Sequence, residues 1–291
     1  MPGWAGWRES VERVEGDAPG DQGPFTGSEH DERVMTLGID LATTNGSTGL
    51  CWIDWHARTS TVRVGNPSDA ELIAAISRVR AAGGWVAIDA PFGFPDAFSD
   101  AVARWREMGR VEPTTDALTT RRITDVEVAR RQQGLKAAIP GNWVTWPLSA
   151  VVERITPTVL RAAQILTGVS DGPVDRVGLG SRVVETYPIA ALRAWDIPTH
   201  SYKSNDADAR SVLMDLCRRT GVERPDGLDD VKPRRLDDAV DAFVCALVAR
   251  VVATSDGRTG PAQDSTNDLA TVEREGWIHL PPEDHPLERL R

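Results

Sequence analysis

Residues 34–41 read Val34-Met35-Thr36-Leu37-Gly38-Ile39-Asp40-Leu41. A short run so continuously apolar predicts a central strand buried on both faces. It closes on Asp40, and a carboxylate at the end of a buried strand is costly unless it is paired or bound to metal. Upstream, residues 1–33 hold eight acids against three arginines among scattered glycines and prolines, with no periodicity. That composition predicts a disordered acidic leader and makes Met35 a candidate start.

Downstream, Gly46 and Gly49 mark a turn into a second strand at 50–55, and a third follows at 60–64. Residues 69–82 place Leu72, Ile73, Ile76 and Val79 on one stripe and stop at Gly83-Gly84, so they predict a helix. A fourth strand at 85–89 leads into a long, mostly helical stretch broken near Pro113 and Pro140. A fifth strand at 182–187 stops at Pro188, and helices are expected at 189–195 and 206–220. The last major helix, 234–252, carries apolar residues at three-four spacing and is expected to be amphipathic.

Three short-linked strands, a crossover helix and a fourth strand give antiparallel pairing first and parallel pairing afterwards. The expected fold is α/β, with the element order of the ribonuclease H-like fold. It comprises a mixed five-stranded sheet with a helical insertion, about 96–175, between the fourth and fifth strands. The domain spans 34–253, residues 254–271 are a linker by composition, and 272–291 form a tail with a short strand.

Hydrophobic residues make up 41% and charged residues 26% of the chain, enough for a large core and too many apolar groups for global disorder. No apolar run reaches the roughly 18 residues a membrane helix needs, so no membrane partner is expected. Cys51, Cys217 and Cys245 lie far apart in apolar stretches, which suits reduced thiols in a cytoplasmic protein rather than a disulfide framework or a zinc site. The net charge of −10 resides mainly in the two ends, leaving 34–253 nearly neutral. That middle region does not oppose nucleic acid as a partner; oligomeric state is not assigned.

The acids carry the chemical signal. Asp40 and Asp89 close the first and fourth strands, and Glu185, in Val184-Glu185-Thr186-Tyr187-Pro188, closes the fifth. Open α/β sheets bind ligands at that edge. Asp237, Asp238 and Asp241 lie near the start of the last helix, with Asp238 and Asp241 neighbours on its surface. Singly, each acid reads as an ordinary strand end or helix start; together they form a carboxylate cluster. Converging carboxylates repel unless a cation joins them, and their hard oxygens suit Mg²⁺ or Mn²⁺. Asp40, Asp89, Asp238 and Asp241 are the expected ligands and catalytic groups, with Glu185 a further ligand or base. The choice between Asp237 and Asp238 stays open.

Gly38-Ile39-Asp40-Leu41-Ala42, Ile88-Asp89-Ala90-Pro91, Arg122-Ile123-Thr124-Asp125, Glu185-Thr186-Tyr187-Pro188, Tyr202-Lys203, Asp238-Ala239-Val240-Asp241-Ala242 and Glu275-Gly276-Trp277-Ile278 occur in this order. The ordered set resembles the predicted ribonuclease H-like nucleases of domain-of-unknown-function family 429. The resemblance implies that fold and a candidate active site for phosphodiester hydrolysis. The helix motif is also similar to that of Holliday-junction resolvases.

Softer signals surround the cluster. Arg121 and Arg122 either hold phosphate or pair with Asp125; Arg122, Asp125 and Lys203 are the expected substrate-binding residues. Asn142-Trp143-Val144-Thr145-Trp146 offers stacking faces for unpaired bases or, more simply, core packing. Two rival functions remain: a non-catalytic binding module of the same fold, and a nucleotide-dependent kinase of the sugar-kinase and actin group. The kinase reading suffers from Ala42 where a phosphate loop wants glycine, and from Pro91 and Pro95, which remove backbone donors.

Overall fold

The computed structural model describes residues 35–43, 47–110, 120–136, 146–261 and 268–291. The expected leader, the breaks near Pro113 and Pro140, and residues 142–145 lie outside the described residues. The first three strands, β1 (Met35–Asp40), β2 (Thr48–Asp54) and β3 (Thr59–Gly65), form an antiparallel meander. Helix α1 (Asp69–Ala81) then crosses over to β4 (Trp85–Asp89), which lies parallel to β1. Its start is fixed by a reciprocal cap: Ser68 Oγ accepts from Glu71 N–H and Glu71 Oε2 accepts from Ser68 N–H. Its end turns at Gly83, whose φ of 79° is a left-handed conformation that glycine adopts without strain.

The insertion carries α2 (Asp96–Met108), α3 (Ile123–Lys136) and α4 (Thr156–Gly168). Strand β5 (Val183–Thr186) pairs parallel to β4, and α5 (Pro188–Ala194), α6 (Asp206–Thr220) and α7 (Leu236–Thr254) follow. The described parts of the region expected to be linker and tail, 254–261 and 268–291, are more ordered than their composition suggests. Thr259 is buried, α8 (Leu269–Glu275) straddles the expected boundary, and β6 (Ile278–His279) joins the sheet parallel to β5. The sheet is therefore six-stranded, in the order β3-β2-β1-β4-β5-β6, and not five-stranded.

Alternation along the strands divides the core into two layers. Leu37 and Ile39 of β1 and Val86 and Ile88 of β4 pack with α1 and α4 on one face. Ala87 and Val184 join α5, α6 and α7 on the other. Helix α7 is not amphipathic as its spacing suggested. It is buried almost all round, because the sheet covers one side and α5 and α6 cover the other. It reaches the sheet at Gly38, where an added Cβ would come within 1.9 Å of Ala242 O and 2.3 Å of Ala246 N. Gly49, expected in a turn, lies within β2 and does the same: a Cβ there would meet Asp238 O at 2.3 Å. All three cysteines are free and buried. Among the described residues no helix is long and apolar enough to cross a membrane.

Candidate metal centre

The register brings the strand-end acids together. Asp40 and Asp89 are directly paired in the parallel β1–β4 ladder, so their side chains leave the same edge on the same face. That face is the one occupied by α7, because Gly38 and Ala87 lie two residues earlier on the same sides of their strands. The close approach at Gly38 sets the helix against β1 and delivers Asp241 from its second turn. Carboxylate oxygens of Asp40, Asp89 and Asp241 lie within 4.8 Å of one another.

The trio is electrostatically strained. Burial, then Asp241 and Asp89, push the Asp40 carboxyl well above the usual range. Burial and Asp241 push Asp89 up to about 7. Neither side chain has a hydrogen-bond partner among the described residues, whereas both oxygens of buried Asp241 are engaged. Tyr202 OH donates to its Oδ1 at 2.8 Å and Lys203 Nζ to its Oδ2 at 2.7 Å. Burial works against the Lys203 ammonium, but Asp241 and Asp89 outweigh it and keep the group charged. Three carboxylates thus share one lysine. An all-oxygen donor set with excess negative charge and two unpartnered carboxylates fits a hard divalent cation.

Asp238 flanks the trio and is not part of it. Its Oδ2 is buried without a hydrogen-bond partner, with Arg235 Nη1 3.7 Å away. Burial pushes its carboxyl up to about 6 against a hydrogen bond from Ser47. Asp237 is raised by burial and by Asp241.

Glu185 stands apart, for a reason visible in the register. It pairs with Ile88, one residue short of Asp89, so alternation turns it to the opposite face. There Arg122 grips it with two hydrogen bonds, at 2.7 and 2.8 Å, and Phe92 N–H donates to Oε2 at 2.8 Å. Arg122 and Asp125, expected to meet substrate, are enclosed instead: Arg122 also bonds Asp125 and is only 1% exposed. Of the expected substrate residues, only Lys203 lies at the trio. Arg121 bonds the Pro147 carbonyl and stacks over Trp146.

Three further residues shape the centre. Tyr202 orients Asp241; it belongs to a motif already noted, but a tyrosine carries no positional signal of its own. Glu275 accepts from Asp96 N–H and Ile123 N–H, tying α8 to the loop after Asp89. Arg161 holds the loop after Asp40, donating to Ala42 O at 2.8 Å and Pro67 O at 2.9 Å while paired with Asp69. Its signal was a lone arginine beside the apolar Val159, Ala162, Ile165 and Leu166 of α4.

No curated protein and no solved structure matches the chain significantly. One family model matches residues 38–266, more than half of the chain, and that span contains the whole trio together with Tyr202 and Lys203. The chain therefore belongs to the family described as "Protein of unknown function (DUF429)".

Proposed function

We propose that this protein is a divalent-metal-dependent phosphodiesterase acting on nucleic acid, built on the ribonuclease H-like form of the α/β fold. The observation that carries the reading is the convergence of Asp40, Asp89 and Asp241 at one edge of a mixed sheet. The antiparallel meander followed by parallel strands and a crossover helix supports the fold assignment. Free, buried cysteines suit the reducing cytoplasm.

Asp40, Asp89 and Asp241 would hold Mg²⁺ or Mn²⁺, with Asp238 beside them. Such an ion stabilises charge on phosphoryl oxygens and acidifies water. The chain's own groups do the rest. Tyr202 and Lys203 fix Asp241 from both oxygens, so its position is set before substrate arrives. Lys203, with its side chain 46% exposed, can also meet a phosphate oxygen at the rim. Arg161 and the Arg122–Glu185 pair hold the two loops that follow the strand-end aspartates.

The kinase reading needs free backbone N–H groups on those loops. Ala42 N–H donates to Thr48 Oγ1 and Phe92 N–H to Glu185, while Pro91 and Pro95 have none to offer. The nuclease reading is tested by assaying the purified protein with Mn²⁺ on branched, hybrid and single-stranded substrates. Cleavage lost in Asp40→Asn and Asp89→Asn is expected. Metal-independent cleavage, or none on any substrate with Mn²⁺ bound, would overturn it; the latter outcome leaves a non-catalytic binding module.

A further inference from the structure

We infer that a second, cationic site at the far end of α7 binds a phosphate-bearing ligand. A cavity of about 320 Å³ opens there, lined by the side chains of Arg250, Arg258, Arg289 and Arg291, with Asp256 the one acidic side chain among its lining residues, and flanked by His285. From Asp241 to Thr254 the helix rises about 20 Å at 1.5 Å per residue, so this site is separate from the acidic trio. The chain as a whole is acidic, which makes four arginines around one cavity the more unusual.

What matters is which of these cations are already satisfied. Arg258 pairs with Asp284, and Arg291 donates to the carbonyls of Arg218 and Arg219. The guanidinium groups of Arg250 and Arg289 have no hydrogen-bond or ion-pair partner among the described residues. Arg250 lies over the Trp55 ring, 5.2 Å from its centroid, and shares that ring with Arg58 at 5.6 Å. Arg58 itself donates to Leu290 O at 2.7 Å, which leaves Arg250 with the ring alone. His285 also lines the cavity and is 8% exposed.

The chemistry selects the ligand. The polar lining does not suit an apolar molecule, and planar guanidinium forks match phosphate oxygens bidentately. The volume admits more than a bare ion, so a phosphate ester is the expected class. A free nucleotide and a nucleic-acid backbone share this chemistry.

Calorimetric titration of the full-length protein in metal-free, low-salt buffer separates these sources. The probes are inorganic pyrophosphate, a nucleoside triphosphate and a DNA duplex, run on wild type, R250Q/R289Q, and an R104Q control on α2. Pyrophosphate and at least one larger probe should bind wild type and R104Q alike. R250Q/R289Q should weaken binding about tenfold or more. If the duplex is the tighter ligand, the variant's salt slope should fall by about 2, near one per lost phosphate contact. Arg289 is exposed, so R289Q alone decides should the double variant fail to fold; it should bind measurably less tightly. No binding of any probe at millimolar concentration, or equal binding by wild type and variant, would overturn the inference. Repeating the titration in D40N keeps the result independent of the acidic site.

Discussion

Arg122 and Glu185 face each other inside the protein through two parallel hydrogen bonds, Nη2 to Oε1 at 2.7 Å and Nη1 to Oε2 at 2.8 Å. Both are almost wholly buried, and Asp125 completes the group. Removing the only cation leaves two buried carboxylates uncompensated, which costs about 3–5 kcal/mol. Arg122→Met should therefore lower the urea midpoint sharply. Glu185→Gln should also destabilise while leaving Mn²⁺ affinity near wild type. Loss of metal binding at unchanged stability in Glu185→Gln would return that residue to the centre.

Gly38 sets how closely α7 approaches β1. Any side chain there collides with Ala242 O, a backbone atom that cannot rotate away. Gly38→Ala should force the helix off the sheet, costing more than the about 1–3 kcal/mol typical of overpacking, and displace Asp241 from Asp40. Soluble expression and thermal melting read the first effect, and Mn²⁺ titration the second. A variant with wild-type melting and metal affinity would mean that α7 does not depend on this contact.

Much of this architecture was legible because buried strands announce themselves by continuous apolar runs. The first and fourth strands each end in an aspartate, so Asp40 and Asp89 could be placed at one edge from spacing alone. Glu185 could not. Its face depends on whether it pairs with Ile88 or Asp89, and one residue of register reverses the side chain. Helical spacing places Asp238 beside Asp241 and the two do interact, but spacing does not tell which of them enters the trio. The contacts at Gly38 and Gly49 turn Asp241 inward and leave Asp238 at the flank. Of the two readings of Arg122, the pair with Asp125 is the one the structure shows; sequence could not choose between them because it shows charge and not burial. The short strand expected in the tail is β6, but its two residues carry no periodic signal that it pairs with β5 as a sixth strand of the sheet.

His279 supplies a pH dependence unrelated to the acidic centre. Its Nε2 faces Val177 O, which only accepts, so Nε2 carries the proton and Nδ1 accepts from Thr259 Oγ1. Burial lowers its pKa to about 4. The folded state thus resists a proton that the unfolded chain takes up near pH 6.5. This stability is complete above about pH 6.5 and is lost as pH falls to about 4, amounting to on the order of 3 kcal/mol. His279→Gln should flatten that part of the stability–pH curve. An unchanged acid limb would show that other groups govern it.

Lys203 is the only basic side chain bonded to the trio among the described residues. Lys203→Met removes a charge-assisted hydrogen bond to buried Asp241, worth about 1–3 kcal/mol, discounted because the lysine is half exposed. The metal-free variant should melt lower than wild type. With more uncompensated negative charge, its melting shift on adding Mn²⁺ should be larger. A smaller shift would indicate that the lysine helps to assemble the site and does not stand in for part of the cation's charge.

Asp40 connects metal, pH and stability in one residue. In the metal-free protein Asp40 and Asp89 both bind protons more tightly than in the unfolded chain, Asp89 with a pKa of about 7. A carboxyl raised on folding contributes stability below its unfolded pKa of about 3.9 and loses it as pH rises through the folded value. The metal-free protein should therefore weaken progressively from about pH 4 to beyond pH 7, on top of the His279 effect that acts in the opposite sense at acid pH. A divalent ion that binds only the folded state reverses this, adding about 2.7 kcal/mol at 100 times its dissociation constant. Asp40→Asn preserves the shape and removes one of the repelling charges. The metal-free variant should be at least as stable as wild type near pH 8, with a flatter decline on the alkaline side. It should also lose most of the Mn²⁺-induced shift, because the same oxygens are assigned to the ion. Calorimetric melting across pH, with and without Mn²⁺, measures all three effects. A variant that is less stable without metal yet keeps the full Mn²⁺ shift would make Asp40 a structural strand end and remove the basis for the metal centre.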